Sequence, residues 1–361
     1  MKKILLVDDS ALMRRVLCDI INSDERFHVE DRATNGLEAL ELLKKKTYDG
    51  VVLDVNMPRM DGITLLRELQ REKIAVRVMM ASTDTMEGAK VTMDALELGA
   101  IDFIHKPGNA ADCNRGDFPT DLLRILASVC SARLPVFEKA FSMEEIKSNK
   151  KMLELVAKHT PAKESGGDGR KIVALASSTG GPKALQAVIP RLPAKLDAPV
   201  VIVQHMPVGF TQSLAERLDS LSEMTVTEAK EGDVLENGHV YIAMAGKHLN
   251  VLTMASKYVV HYSDEPTREG VKPCANYMYE SLSNSRFGRI LCVVLTGMGT
   301  DGTEGIRHLS EKKKLQVIAQ DEASSTVYGM PKSVAKAGLV NQIVPLEQVA
   351  QEIIMNIGVS G

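Results

Sequence analysis

The sequence predicts an α/β protein made of two doubly wound domains, each built on a mainly parallel sheet. Short β-branched segments alternate with segments of helical periodicity in both halves of the 361-residue chain, which is typical of βα units. A chain of this length exceeds what one hydrophobic core normally serves. Between the halves the composition shifts to Lys, Glu and Ser, and then to Gly. We therefore expect domains at 1–133 and 170–361, joined by a linker at 134–169.

The first domain should contain five strands and end in a helix. The strands are predicted at Ile4–Val7, His28–Ala33, Gly50–Val55, Val76–Ala81 and Ile101–Ile104. The last helix is predicted from an apolar stripe, which consists of Leu122, Ile125, Leu126 and Val129. In the linker, Ser142 and Glu145 fit a capping box, so we expect one helix there, ending near Lys158. The Gly-rich end of the linker is typical of a flexible connection.

The second domain repeats the alternation and adds an irregular section. Mainly parallel strands are predicted at Lys171–Ser177, Pro199–Gln204, Arg289–Thr296, Leu315–Gln320 and Leu339–Val344. Three more strands follow one another with short turns, at His239–Met244, His248–Thr253 and Lys257–Ser263. Short turns between successive strands indicate antiparallel pairing, so we expect an antiparallel addition to this domain.

The composition excludes several functional classes. A hydrophobic content of 44% and a charged content of 25% are close to the averages of globular proteins. A net charge of −3 with 4% aromatic residues offers neither a basic face nor a stacking surface for nucleic acid. The apolar segments are too short to cross a bilayer of about 30 Å, and the N-terminus has no secretion signal. We therefore expect a cytoplasmic protein without membrane insertion, whose five cysteines are free thiols.

Acidic residues close two strands of the first domain. Asp8 and Asp9 follow the first strand and Asp54 closes the third, and in a doubly wound sheet these ends meet. Like charges about 4 Å apart repel by on the order of 4 kcal/mol, so this cluster favours a divalent cation such as Mg²⁺. Lys106 closes the fifth strand and supplies a charge for a phosphoryl group, and Ser82 supplies a hydroxyl. The alternative is that the Asp pair only caps the following helix.

The polar residues at these four strand ends resemble the receiver domain of two-component response regulators, over roughly residues 1–133. The resemblance implies a flavodoxin-like fold. The residues it implies are Asp8, Asp9 and Asp54 for Mg²⁺, Asp54 for phosphorylation, and Ser82, Phe103 and Lys106 for the phospho-switch. For Phe103, an ordinary place in the core is the alternative.

Three strands of the second domain each end in a polar side chain that suits acyl transfer. Ser178 lies in a strand-to-helix turn, His205 follows the next apolar strand, and Asp301 follows the third. A serine in such a turn is exposed as a nucleophile, an imidazole is a general base near neutrality, and a carboxylate orients that imidazole. Taken singly, the turn also fits a phosphate cradle or a plain tight turn, and the histidine also fits an ordinary hydrogen-bonded polar residue.

A dinucleotide site is the main rival for the same loop. Gly297, Gly299 and Gly302 form a G-x-G-x-x-G pattern between a strand and a helix, and Asp321 closes the next strand. Asp301, however, would place a carboxylate against the pyrophosphate, and like charges at that range repel by kilocalories. The pattern therefore favours the hydrolase over the nucleotide site.

The second domain resembles the catalytic domain of the chemotaxis protein-glutamate methylesterases, and the resemblance extends over the whole chain. It rests on four stretches, which begin at Ser178-Thr179-Gly180-Gly181, Gln204-His205-Met206-Pro207, Leu295-Thr296-Gly297-Met298 and Gln320-Asp321-Glu322-Ala323. It implies a Rossmann-like hydrolase domain with Ser178 as nucleophile, His205 as base and Asp301 as orienting residue. It also implies an oxyanion hole at the Met298 N–H, supported by Thr179. The implied partners are a chemotaxis histidine kinase and methylated chemoreceptor helices, with glutamine deamidation as a second reaction and no cofactor for ester hydrolysis.

This chain departs from the family pattern at two places. The family's Gly-Ala before the nucleophile is Ala176-Ser177 here, which makes Ser177 a decoy nucleophile. The family's Arg-Pro-Ser-x-Asp is Lys272-Pro273-Cys274-Ala275-Asn276, and we expect this segment to line the cleft and to alter substrate contacts or rate while the triad stays whole. Three classes of function stay open: a regulated esterase whose unphosphorylated receiver covers the Ser178 cleft, a phosphorylation-dependent binding module, and a nucleotide-binding enzyme.

Overall fold

The computed structural model describes residues 1–83, 86–114, 116–135 and 168–360. The chain divides into two compact units, Met1–Lys139 and Ala140–Gly361, each with its own sheet and its own buried core. The predicted linker helix, from Ser142 to about Lys158, lies outside the described residues.

The first unit is a parallel sheet with helices between successive strands. Its strands are Lys2–Val7 (β1), Phe27–Ala33 (β2), Gly50–Asp54 (β3), Val78–Thr83 (β4) and Asp102–Lys106 (β5), in the order β2-β1-β3-β4-β5. Its α-helices within the described ranges are Ala11–Asn22 (α1), Gly36–Lys45 (α2), Gly62–Arg71 (α3), Met86–Glu97 (α4) and Phe118–Ser131 (α5). All neighbouring strands are parallel, so the predicted fold class of this unit is confirmed.

Local sequence explains where these helices begin. The side chain of Ser10 accepts the N–H of Met13 at the start of α1, and Asp61 accepts the N–H of Thr64 at the start of α3. Strand β3 is buried along its whole length, as expected for a parallel strand covered on both faces. The strand order reverses between β1 and β3, which opens a crevice beside their carboxyl ends.

The second unit is a larger parallel sheet. Its strands are Lys171–Ser177 (β6), Val200–Gln204 (β7), Thr225–Glu228 (β8), His239–Ile242 (β9), His248–Met254 (β10), Lys257–Ser263 (β11), Arg289–Val294 (β12), Leu315–Gln320 (β13) and Gln342–Val344 (β14). Its α-helices in the described part are Gly181–Val188 (α6), Phe210–Leu221 (α7), Ala275–Ser281 (α8), Thr303–Lys312 (α9), Met330–Lys336 (α10) and Leu346–Ile357 (α11). The main sheet has the order β14-β13-β12-β6-β7-β9-β8.

The irregular section differs in part from its prediction. Only β10 and β11 form the antiparallel addition, whereas β9 joins the main sheet parallel to both β7 and β8. Two facts account for this. Val240 and the two residues after it are buried, as in a parallel strand covered on both faces. The chain between β8 and β9 is long enough for a crossover, and on its way Val234 pairs with Val259 of β11.

The strand order of this sheet reverses between β12 and β6. Strands β6, β7 and β12 are buried almost throughout, so they form a rigid platform. In open α/β sheets a ligand crevice lies at the carboxyl ends of the strands where the order reverses. The loops that follow β6 and β12 flank this crevice, and the loop after β7 lies beside them.

Candidate active site

The turn that carries Ser178 is shaped by two glycines. Gly180 has a φ of +76°, and a Cβ there would lie 2.5 Å from the side chain of Thr326. Gly181 begins α6, and its N–H donates to the carbonyl of Ser178 over 2.7 Å. The N–H of Ser178 donates to the carbonyl of Thr296, which follows β12. The serine backbone is therefore held between two neighbouring strands, with the side chain at the carboxyl edge of the sheet.

His205 and Asp301 form a hydrogen-bonded pair at the same edge. Nε2 of His205 lies 2.8 Å from Oδ2 of Asp301, and both side chains are buried. The backbone N–H of His205 donates to the carbonyl of Ser177 over 3.1 Å, which keeps the histidine beside the nucleophile turn. Because Nε2 bonds to a carboxylate, it carries the proton in the neutral imidazole, and Nδ1 is left as the basic nitrogen.

The carboxylate of Asp301 receives several further donors. The N–H groups of Ala275, Asn276 and Gly302 donate to it over 2.6, 2.9 and 2.8 Å, and the Cys274 thiol donates over 3.0 Å. Burial alone would raise its pKa, but the contact with His205 and these donors outweigh burial, so the pKa of Asp301 is lowered. Asp301 is therefore ionised at neutral pH and able to stabilise an imidazolium.

The segment at 272–276 does not line the cleft as predicted. Three of its residues are fully buried and donate hydrogen bonds to the Asp301 carboxylate: Cys274, Ala275 and Asn276. The side-chain Oδ1 of Asn276 accepts the N–H groups of Gly302 and Gly305, and its Nδ2 donates to Glu269 over 2.9 Å. This departure from the family pattern therefore acts on the loop that carries Asp301, whereas the expected change in substrate contacts or rate stays a prediction.

The peptide between Gly297 and Met298 has a defined orientation. The carbonyl of Gly297 accepts the N–H groups of Gly329 and Met330 over 3.0 and 2.8 Å. In a trans peptide the N–H points opposite to the carbonyl, so the N–H of Met298 is directed away from the start of α10. A Cβ on Gly297 would lie 2.7 Å from the Cβ of Ser178, which shows how closely this loop approaches the nucleophile turn.

The three predicted catalytic side chains thus lie at the ends of β6, β7 and β12, which are neighbouring strands of one sheet. Only the histidine and the aspartate are directly bonded. Among the described residues, the Ser178 hydroxyl makes no hydrogen bond within normal limits. Thr179 lies beside it and is buried, with its carbonyl accepting the Thr296 hydroxyl over 2.9 Å.

The loop residues of the rival dinucleotide site are already engaged. Asp301 is bonded as described, and Asp321 accepts both the N–H and the hydroxyl of Ser324. Gly329 packs against the carbonyl of Gly297, where an added Cβ would lie 2.6 Å away. Within the pattern itself, Gly297 packs against Ser178, Gly302 packs against Tyr279, and Gly299 has a φ of +88°, so each glycine has a structural reason that needs no pyrophosphate.

The acidic cluster of the first unit is brought together at the crevice beside β1 and β3. One ligand oxygen each from Asp8, Asp9 and Asp54 lies within 4.8 Å of the others. Nζ of Lys106 lies 2.8 Å from Asp8 and 2.7 Å from Asp54, and all three of these groups are buried. Burial raises the pKa of Asp54, since Lys106 offsets only part of the desolvation and the charge of Asp8 adds to it. Three convergent hard oxygen ligands fit a divalent cation such as Mg²⁺.

Ser82 and Phe103 lie on the neighbouring strands β4 and β5, and both are buried. Phe103 is only 2% exposed, so in this structure it lies in the core, which was the alternative to a switch role. Its part in a switch, like that of Ser82, stays a prediction.

Sequence reasoning missed two buried polar residues of the second unit. Gln204 is named only as part of a motif, yet its side chain contacts both catalytic turns. Ser177 is interpreted as a decoy nucleophile, yet it is fully buried and bonded to Gln204. Their signal in the sequence is a polar residue at the end of an otherwise apolar strand.

The two units together define the class of protein: a response regulator whose second unit is a doubly wound parallel α/β domain with a Ser, His and Asp set at the carboxyl edge of its sheet. Residues 4–114 match the response regulator receiver domain, and residues 173–353 match the CheB methylesterase family. Over the described residues, no helix is both long and apolar enough to span a membrane.

Relatives match over the full length. The chain is 41% identical over 352 residues to a protein-glutamate methylesterase/protein-glutamine glutaminase of Pyrococcus horikoshii, covering 98% of this chain and 92% of that protein. It is 39% identical over 356 residues to the Bacillus subtilis protein of the same name, covering 98% of both. The crystal structure of the Thermotoga maritima CheB methylesterase catalytic domain aligns with a TM-score of 0.50 and 39% identity, covering 52% of this chain and 98% of that one. The chain belongs to the CheB methylesterase family, a family of response regulators with a carboxylic ester hydrolase domain.

Proposed function

We propose that this chain hydrolyses methyl esters of glutamate side chains on the cytoplasmic helices of chemoreceptors, under control of receiver phosphorylation. The observation that carries the proposal is the 2.8 Å bond between His205 and a buried, ionised Asp301 beside the Ser178 turn. The names of the relatives supply the substrate class. Their second named activity suggests deamidation of receptor glutamines by the same residues. We assign the protein to the cytoplasm, where such a substrate is accessible.

Acyl transfer begins with the nucleophile. Nδ1 of His205 accepts the hydroxyl proton of Ser178 as Oγ attacks the γ-carbonyl carbon of the ester. Asp301 stabilises the imidazolium that forms and keeps Nε2 protonated. The bond from carbon to the methoxy oxygen breaks, and His205 returns the proton so that methanol leaves. Water then repeats the sequence on the acyl-enzyme, which releases the glutamate carboxylate and restores Ser178.

The negative charge on the carbonyl oxygen needs preorganised donors. We assign this role to the N–H of Met298, whose direction is set by the bonds of the Gly297 carbonyl, with Thr179 in support. Removing one donor of this kind typically lowers turnover by about 10² to 10³. Ser178, His205 and Asp301 supply the nucleophile, base and orienting group themselves, so we expect ester hydrolysis to need no cofactor.

The first unit would control this reaction through Asp54. We propose that a chemotaxis histidine kinase donates a phosphoryl group to Asp54. The carboxylates of Asp8, Asp9 and Asp54 would hold Mg²⁺, which supplies positive charge for the phosphoryl oxygens. Lys106 contacts Asp54 and would bind the same oxygens. In this scheme Ser82 and Phe103 respond to the new charge.

We further propose that the unphosphorylated receiver covers the Ser178 cleft. A fragment that begins near Lys171 should then hydrolyse substrate faster than the full chain, and phosphorylation of the full chain should remove most of the difference. Equal rates for fragment and full chain would contradict this inhibition.

The nucleophile is tested by labelling and by turnover. A fluorophosphonate probe should label the wild type at Ser178, and Ser178→Ala should lose both the label and methanol release from a methylated receptor fragment, by at least 10³-fold. Ser220→Ala is a matched control, because Ser220 is an exposed serine of α7 whose hydroxyl donates to the carbonyl of Arg217 in the same helix. Labelling that persists in Ser178→Ala, or turnover within a few-fold of wild type, would reject the assignment. Phosphorylation of Asp54 without any serine labelling would instead favour a binding module, and saturable dinucleotide binding would favour the nucleotide enzyme.

A further inference from the structure

The side chain of Gln204 lies between the two turns that carry the nucleophile and the base. Gln204 is the last residue of β7 and is 1% exposed. Its Nε2 donates to the carbonyl of Ser178 over 3.0 Å and to the carbonyl of His205 over 2.9 Å. Both amide hydrogens are thus used, one on each catalytic residue. A single nitrogen therefore joins the backbones of Ser178 and His205.

The orientation of this amide is fixed by the two carbonyl oxygens that it binds, and Ser177 anchors its other end. The Ser177 hydroxyl donates to Oε1 of Gln204 over 2.6 Å, and both side chains are buried. A flipped amide would place its oxygen against two carbonyl oxygens, which have no hydrogen to donate. In the observed orientation the Ser177 hydroxyl acts as the donor, so Oε1 is satisfied inside the core as well. The hydroxyl of Ser177 is therefore occupied inside the core and is not available as a nucleophile.

The side-chain amide of Gln204 is packed closely against the start of α6. A Cβ on Gly181 would lie 1.9 Å from Oε1 of Gln204 and 3.0 Å from the Cβ of Ser177. Gly181 begins α6, directly after the nucleophile turn. The absence of a side chain there admits the glutamine, so the turn, the amide and the hydroxyl form one closely packed unit.

We propose that Gln204 is a positioning residue of the hydrolase reaction, which sets the separation of Ser178 from His205, and that Ser177 holds its amide in register. This inference rests on the proposed function, because it concerns the same nucleophile and base. The carbonyl oxygens of Ser178 and His205 bind the same nitrogen, so they lie within about 6 Å of each other as long as both hydrogen bonds are kept. A misplacement of reacting groups by about 1 Å can lower a rate by about 10²-fold. Within the triad, the side chains of His205 and Asp301 are bonded to each other and that of Ser178 is not. The position of Ser178 relative to His205 is therefore set by backbone contacts such as these.

Two substitutions separate positioning from general structure. Gln204→Met removes the donors without adding charge, so the rate should fall about 10-fold to 100-fold at every pH. Gln204→Glu places a carboxylate against the carbonyls at neutral pH but can donate one hydrogen when protonated. We therefore expect the activity of Gln204→Glu, divided by that of Gln204→Met, to rise as the pH falls from 8 to 5.5. The loss should lie in the rate at which a fluorophosphonate phosphonylates Ser178, with release of fluoride, and in kcat, with KM within about twofold of wild type.

A double-substitution cycle tests the part of Ser177. Ser177→Ala in the full chain should lower kcat a few-fold, and it should have no further effect once Gln204→Met is present, because the amide that it anchors is gone. Additive effects, a Gln204→Met rate within twofold of wild type, or a ratio that does not change with pH would overturn the inference. If Gln204→Glu fails to fold, the cycle with Gln204→Met still decides. A wild type that is not labelled at Ser178 would mean that the proposed function fails, whereas a labelled wild type with an unaffected Gln204→Met removes this inference alone.

Discussion

Asp301→Asn exchanges one oxygen of the orienting carboxylate for an NH₂ group, and the structure predicts where that group goes. Oδ1 accepts from Cys274, Asn276 and Gly302, whereas Oδ2 accepts from Ala275 and His205. Placing NH₂ at the Oδ1 position would oppose three donors. Placing it at the Oδ2 position opposes one backbone N–H and the imidazole, which can change its tautomer. We therefore expect the second orientation.

In that orientation Nε2 of His205 must accept a hydrogen, so the proton moves to Nδ1 and the base is lost. An exchange of this kind, which selects the wrong tautomer, lowers kcat by about 10⁴ in other triad enzymes, and we expect a similar loss here. Stability should fall as well, because Asp301 is 2% exposed and a buried charged acceptor is being replaced. Losing one member of a buried pair costs about 3–5 kcal/mol, or roughly 6–20 °C in the Tm of a unit of this size.

The assay measures methanol release and thermal unfolding of the same preparations. Asp321→Asn is the matched control, since Asp321 lies in the same unit and, within the part of the chain that the structure describes, its carboxylate accepts hydrogen bonds from Ser324 alone. It should retain kcat within a few-fold and lose about 1 kcal/mol of stability. An Asp301→Asn protein with kcat within tenfold of wild type would refute the tautomer argument.

The lowered pKa of Asp301 adds a pH test. A carboxyl whose folded pKa is below its unfolded value of about 3.9 is protonated more readily in the unfolded state. Its contribution to the free energy of unfolding is therefore full above that pH and declines as the pH falls through the folded pKa. The difference in unfolding free energy between wild type and Asp301→Asn should shrink as the pH is lowered from 5 towards 3. A constant difference would contradict the ionised state of Asp301.

Three other predictions follow from buried polar residues. Asn276→Asp would place a carboxylate 2.9 Å from that of Glu269, which is exposed and can turn into solvent. We therefore expect the free energy of unfolding in urea to fall by about 1–2 kcal/mol and kcat to fall modestly. Unchanged stability would contradict the contact. Burial lowers the pKa of His248, whose Nδ1 accepts the N–H of Cys274. Its contribution to stability should therefore be full above about pH 6.5 and decline below that pH. In His248→Gln, the urea concentration at the unfolding midpoint should change less between about pH 7.5 and 5.5 than it does in wild type. A wild-type profile as flat as that of the variant would be the opposing result. Asp54→Asn should abolish Mg²⁺-dependent incorporation of phosphate from a small phosphodonor while leaving basal esterase activity within a few-fold, and incorporation that persists would move the phosphoacceptor elsewhere.

The sequence alone determined the fold class and the strand ends at which chemistry was to be sought. Apolar β-branched segments such as those at β3 and β6 predict buried parallel strands, because a strand covered on both faces needs no alternation. The carboxyl ends of such strands share one edge, so the sequence is enough to assign Asp54 and Ser178 to crevices. These inferences succeed because the local pattern of apolar and polar residues determines which strands are buried and where each strand ends.

Only the tertiary structure decided which partners the buried polar groups have. Asp301 is held by a segment 25 to 27 residues earlier in the chain, and Gln204 joins two turns through a single nitrogen. Strand β9 similarly pairs in parallel because of where the crossover from β8 returns, which short turns alone do not reveal. The physical reason is that a hydrogen bond depends on distance and angle within tenths of an ångström, and these are set by packing between segments that are far apart in sequence.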